Sequence, residues 1–182
     1  MSQTIVIGHV ALIQRSKKQW FTLELLKALR EKGYDAVGVF AGECRDSEYM
    51  DELNQSVEQY GLKGQVVFLG RRSDIPDLLK IIDMLIIPSA FEGFPLAGLE
   101  AAAAGVPVIA CNTEGAEEFV HVSKDGVTFK EDDIACAIEA VKNVMQYARK
   151  YSKFGMEFAG TMSLSKYRER IGEIFDCAIN AM

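Results

Sequence analysis

Short β-branched and apolar runs alternate with longer stretches of helical periodicity along the whole chain. No other feature limits the fold so strongly, because this alternation is what repeated strand–helix units around a parallel sheet require. Residues 4–10 read as a first strand. Residues 21–32 follow as a helix with Phe21, Leu25, Leu26 and Leu29 on one stripe and Gly33 as its stop. A second strand is expected over 36–41, then a helix from the N-cap Ser47 to Tyr60 and a third strand over 65–69. After a short helix over 75–82, Met84-Leu85-Ile86-Ile87 is wholly apolar, as suits a central strand covered on both faces, and Pro88 ends it. A helix over 96–104, a strand over 106–111, a helical turn near 116–121 and an edge strand over 127–129 come next. Two helices, over 132–151 and 163–181, close the pattern.

These elements predict a single α/β domain over residues 1–182, a Rossmann-like parallel sheet of about five or six strands with helices on both faces. A chain of this length buries roughly 70% of its extended surface on folding, enough for one core. The formal net charge of -6 speaks against a general nucleic-acid binder, which presents a basic surface to phosphates. Asp83, Pro88, Glu100 and Pro107 interrupt the apolar stretches well short of a membrane span, so no transmembrane segment is expected. The first residues have no basic n-region, so no secretory signal is expected, and the expected location is the cytoplasm. Cys44, Cys111, Cys136 and Cys177 lie far apart, and with only His9 and His121 beside them no metal site is expected. Both histidines read as packing residues. A dinucleotide oxidoreductase is disfavoured, because Gly8-His9-Val10-Ala11 stands where a Gly-x-Gly-x-x-Gly turn would be needed.

In such sheets ligands bind beyond the carboxyl ends of the strands, where the strand order reverses. The most informative loop therefore follows the apolar fourth strand, from Pro88 through Glu92-Gly93-Phe94-Pro95-Leu96-Ala97 to Glu100. Gly93 allows a ligand close to the backbone. The free N–H groups from Phe94 to Ala97 form an anion site at a helix start, although Pro95 itself has no N–H to give. A carboxylate on either side, Glu92 and Glu100, suits a ligand with a diphosphate in the middle and a sugar at each end.

Pro-Ser-x-x-Glu-Gly-Phe-Pro followed by Glu100 resembles the Glu-x7-Glu signature of retaining GT-B glycosyltransferases of the large group-one family. Phe68-Leu69-Gly70, Asp83 and Ala103-Ala104-Gly105-Val106-Pro107-Val108-Ile109 occur in the family's order around it. The resemblance implies one half of a GT-B fold, the C-terminal domain that binds a nucleoside-diphosphate sugar, with the N-terminal acceptor domain absent. It implies Glu100 on the ribose hydroxyls, Glu92 on the transferred sugar, backbone N–H groups near Phe94, Leu96 and Ala97 on the distal phosphate, and Arg72 beside the base. Arg72 has a second reading as an ion-pair partner of Asp74 or Asp77. Where the family has Gly-Arg after the first strand, this chain has Ala11-Leu12, while Lys17 matches the family's lysine. Arg15 and Lys18 stand as alternative sources of the missing charge.

The sequence has no Asp-x-Asp, so Lys17, the helix start and Arg15 would meet the charge of the leaving diphosphate without a metal or other cofactor. The implied enzyme is a hexosyltransferase of polysaccharide or glycoconjugate synthesis, transferring sugar with retention to a sugar, lipid-linked or other acceptor held by the missing domain. Alone, the chain is expected to be inactive. A full-length enzyme would be cytoplasmic or peripheral to the membrane. The alternatives are a non-catalytic sugar-nucleotide-binding or partner subunit and a GT-B sugar-nucleotide epimerase.

Overall fold

Alternation of strand residues between two faces explains how the core divides. Ile5 and Ile7 of β1 (Ile5–Val10) join a cluster on one side of the sheet, while Val6 and Val10 pack on the other. In the computed structural model, which describes residues 4–163 and positions 165, 166, 168, 169, 171–173 and 177, five more strands follow. They are β2 (Ala36–Ala41), β3 (Val66–Phe68), β4 (Met84–Ile87), β5 (Val108–Cys111) and β6 (Gly126–Phe129), and all six pair in parallel in the order β3-β2-β1-β4-β5-β6. The expected α/β class and strand number therefore hold. The sheet grows outward from β1 to β3 and then returns to place β4 on the other side of β1. The loops after β1 and β4 consequently diverge and leave a crevice between them.

Helices α1 (Gln19–Glu31), α2 (Ser47–Gln59) and the first part of α6 (Ile134–Thr161) cover one face, where Phe21, Leu29, Leu53, Ile138 and Val141 meet Ile7, Phe40 and Ile86. Helices α3 (Ile75–Leu79), α4 (Leu96–Ala104) and α5 (Glu114–Ser123) cover the other, with Leu79, Ala101, Ala102 and Phe119 against Leu85, Ile87 and Val108. Each large side chain fully buried in this way stabilises the fold by roughly 1.5–3 kcal/mol. The small residues Ala101 and Ala102 let α4 approach closely, and both are fully buried.

Several boundaries differ from expectation. The cap of α2 is Asp46, whose side chain accepts from the Tyr49 N–H at 2.9 Å, and not Ser47. Helix α6 runs past the expected end at 151 to Thr161 and bends at Tyr147, which has a non-helical φ of -120° and ψ of 21°. Its apolar stripe changes face beyond the bend. Val141, Val144 and Tyr151 serve the first cluster, whereas Phe158 and Ala159 pack on the second, beside α4. The closing helix expected over 163–181 lies largely outside the described residues. Among the described residues no helix is long and apolar enough to cross a membrane.

Candidate functional site

Helix α4 begins at Leu96 with Pro95 in the cap position at φ -77° and ψ 91°, and no side chain caps it. Its first N–H groups are therefore unsatisfied by the helix itself and carry the positive end of its dipole. They border a cleft of about 240 Å³ between the loops after β1 and β4, lined by His9, Val10, Ala11, Lys17, Ser89, Glu92 and the stretch Phe94-Pro95-Leu96-Ala97 among others. This is the crevice where the strand order reverses. Inside it, Lys17 Nζ donates to Glu92 Oε1 at 2.7 Å, with the two side chains only 21% and 14% exposed.

The turn carrying Glu92 is held from both sides. The Ala90 N–H donates to the Ser16 carbonyl at 3.0 Å, and Thr113 Oγ1 donates to the Ser89 carbonyl at 3.2 Å. The start of α5 comes so close that a Cβ on Gly115 would lie 2.0 Å from the Glu92 carbonyl oxygen. Only a residue without a side chain fits there. Gly93, by contrast, has nothing within 4 Å of where a Cβ would stand.

A second cleft of about 360 Å³ continues from the first across Val10 and Ala11 to the loops after β2 and β3, reaching Gly42, Glu43, Arg45, Arg71 and Arg72. Beyond the sheet an isolated bridge joins Ile13 to Cys44, and the N–H of Arg45, which lines this cleft, donates to the Ile13 carbonyl at 3.2 Å. The two clefts share Val10 and Ala11; Lys17 and the start of α4 lie in the first, and Glu43, Arg45, Arg71 and Arg72 line the second.

The family model described as glycosyl transferases group 1 matches residues 2–157. The chain belongs to this family. It is 38% identical over 144 residues to the UDP-Gal:alpha-D-GlcNAc-diphosphoundecaprenol alpha-1,3-galactosyltransferase of Escherichia coli, a match covering 78% of this chain and 36% of that protein. Its fold is similar to that of Anabaena HepE in complex with UDP and glucose, with a TM-score of 0.87 at 23% identity over 96% of this chain and 48% of that one. It is also similar to the C-terminal domain of a glycosyl transferase group 1 family protein (LpcC) from Francisella tularensis, with a TM-score of 0.75 at 25% identity over 86% and 85% of the two chains. The chain thus spans about half or less of the first two relatives and matches most of an isolated C-terminal domain.

Of the residues singled out in the group 1 motif, the structure brings Lys17, Glu92, Phe94, Pro95, Leu96 and Ala97 into one cleft. Gly93 lies in the exposed turn between them. Glu100 is exposed on α4, one turn beyond Leu96, and makes no hydrogen bond or ion pair among the described residues. Arg72 lines the second cleft and is bonded to Asp74, with Nε to Oδ1 at 2.8 Å, as its ion-pair reading expects. That bond raises the pKa of Arg72 and lowers that of Asp74.

Arg15 and Lys18 are not brought to the cleft wall. Arg15 turns to α2, donating through both terminal nitrogens to Glu52 at 2.7 Å and lying over the Tyr49 ring. Lys18 donates to Glu131 and Asp132, each at 2.7 Å. His9 is buried as expected, with Nδ1 2.9 Å from Thr22 Oγ1, and it borders the cleft. Burial, reinforced by the nearby Lys17 charge, pushes its pKa down to about 3 and keeps the imidazole neutral. Ser16, Thr113 and Gly115 were not foreseen as supports of the site. Only Gly115 carries a signal in the sequence, as the glycine of Thr113-Glu114-Gly115-Ala116.

Proposed function

We propose that this chain is the donor-binding C-terminal half of a two-domain glycosyltransferase that moves a sugar from a nucleoside-diphosphate sugar to an acceptor. The observation that carries the reading is the Lys17–Glu92 pair at the uncapped start of α4, inside the crevice where the strand order reverses. The diphosphate lies against the N–H groups of Leu96 and Ala97 and draws the Lys17 ammonium, which releases Glu92 to the hydroxyls of the sugar. Glu100 takes the ribose, and the second cleft, with Arg72 at its rim, takes the base. Uridine is the first base to test, since HepE binds UDP and the Escherichia coli relative is a UDP-Gal transferase.

As the C1–O bond to the distal phosphate breaks, the departing diphosphate keeps the electron pair. Lys17 and the dipole of α4 stabilise that charge, with no metal or cofactor required. Attack by an acceptor hydroxyl on C1 from the face the diphosphate leaves, with the hydroxyl proton passing to the departing phosphate oxygen, gives retention, with Glu92 orienting the sugar and not acting as nucleophile. Phe91, Leu96 and Phe94 are 70%, 68% and 43% exposed around the cleft mouth. An apolar rim of this kind is what a covering acceptor domain would bury, so the 182-residue chain is inactive alone and meets its sugar or lipid-linked acceptor through an N-terminal half. The same rim fits the second reading, in which a separate chain completes the cleft.

The test is calorimetric titration of UDP, GDP and ADP into the chain with and without EDTA. Binding of one of them, unchanged by the chelator and weakened about tenfold by Glu100→Ala, is expected. Full transfer activity of the isolated chain would overturn the claim that it is half of the machinery.

A further inference from the structure

Lys17 is directed into the cleft while Lys18, the next residue, is directed away from it, and the backbone between them is under strain. Lys18 has φ 50° and ψ 46°, the left-handed conformation that costs a residue with a Cβ roughly 1–2 kcal/mol. It ends the 3-10 turn of Arg15–Lys17 and starts α1, its N–H donating to the Arg15 carbonyl at 3.1 Å and its carbonyl accepting from the Phe21 N–H at 3.0 Å. Its side chain is 11% exposed and ends on two carboxylates from the turn between β6 and α6, Glu131 Oε1 and Asp132 Oδ1, each at 2.7 Å. Asp132 is itself left-handed, with φ 54°. That turn is tied to the end of β5, because the Glu131 N–H donates to Asn112 Oδ1 at 2.9 Å. Two strained residues more than a hundred positions apart thus face each other across an ion pair, one residue away from the cation of the proposed donor site.

We propose that Lys18, Glu131 and Asp132 form a strut whose role is to position Lys17 for the donor diphosphate; this rests on the donor-binding reading above. The paired carboxylates hold the Lys18 ammonium out of the cleft and fix the left-handed bend. The bend sends the neighbouring Lys17 side chain toward Glu92 and the start of α4. Lys18 and its partners are positioning residues and touch no ligand. Positioning of this kind matters because a misplacement of about 1 Å can cost about two orders of magnitude in rate.

The sign of one measurement separates the strut from simple electrostatics. The double variant Glu131→Gln/Asp132→Asn removes two negative charges from the neighbourhood of an anion site and frees a lysine beside it. Charge alone therefore predicts tighter binding of UDP or GDP, whereas the strut predicts binding about tenfold weaker. Affinities of wild type, the double variant and Lys17→Met are measured by calorimetry, with circular dichroism confirming the fold. Weaker binding by the double variant supports the strut, and equal or tighter binding overturns it. If the double variant does not fold, Asp132→Gly replaces it, because glycine adopts φ 54° without strain and Glu131 remains. It is expected to bind about threefold more weakly, and unchanged affinity sinks the proposal. A wild-type chain that binds neither nucleotide refutes the donor-binding reading itself. A wild type that binds through Lys17, beside a double variant that binds equally well, refutes the strut alone.

Discussion

Gly115→Ala is the most informative single perturbation of the site, since it acts on Glu92 through the backbone and leaves every side chain proposed to meet the ligand chemically unaltered. A Cβ at this position would lie 2.0 Å from the Glu92 carbonyl oxygen and 2.5 Å from that of Gly93, where ordinary contact begins near 3.4 Å. Either the turn or the start of α5 must therefore retreat by about 1.4 Å, the difference between 3.4 and 2.0 Å. The turn is tied to Ser16 and Thr113, so neither side yields freely. Overpacking of this size costs about 1–3 kcal/mol of stability. The same retreat shifts Glu92 against Lys17 by more than a hydrogen bond tolerates, and UDP affinity should fall at least about tenfold. Thermal melts and calorimetric titration read the two effects. Gly93→Ala is the companion variant, because nothing in the protein opposes a Cβ there. It should melt like the parent yet bind UDP more weakly, since the space it fills belongs to the ligand. Unchanged melting and unchanged affinity in Gly115→Ala would refute the reasoning.

Three further outcomes are expected. Arg15→Ala should leave UDP affinity within about twofold, because this guanidinium is held by Glu52 and Asp46; a tenfold loss would mean that it leaves α2 to reach the donor. Phe119→Ala should destabilise the chain by about 3–5 kcal/mol, since the fully buried ring packs edge-on against both Phe94 and Phe158; chemical denaturation measures it. Asp125 is fully buried with Oδ2 unpartnered, and burial lifts its pKa from 3.8 to about 6 despite the bond from Ser123. A carboxyl raised in the folded state binds more protons there, so its contribution to stability is fully present below pH 3.8 and is lost as pH rises through about 6. Asp125→Asn should therefore gain stability over the parent between about pH 4 and pH 7.5, by up to roughly 3 kcal/mol, and a gain independent of pH in urea melts would contradict this.

The fold was legible because its signals are local. Met84 to Ile87 is apolar without interruption and proves buried throughout in the centre of the sheet, and Gly105 ends α4 where a left-handed residue was needed, at φ 71°. The cleft was legible for a related reason. Lys17 and the Glu92 loop each follow a strand, and the sheet order carries both to the same crevice. What could not be read was pairing between distant residues. Lys17 is set apart in the sequence by its match to the family's lysine, but Arg15 and Lys18 stand beside it as equal sources of further charge, and only the folded chain assigns one to Glu52 and the other to Glu131 and Asp132. The extent of α6 was missed because the helix bends at Tyr147 and its apolar stripe moves to another face by Phe158 and Ala159, which a single helical period does not register. Asp46 displaced Ser47 as a cap by one residue, a choice that both side chains permit locally.

The central claim is that the crevice beside β1 and β4 binds a nucleoside diphosphate through Lys17 and the start of α4. Titration of UDP, GDP and ADP into the wild-type chain and into Lys17→Met tests it most directly. The account predicts saturable binding of one nucleotide by the wild type and a loss of about tenfold or more in the variant, with the fold retained. Absence of binding by all three, or binding to which Lys17 makes no difference, would contradict it.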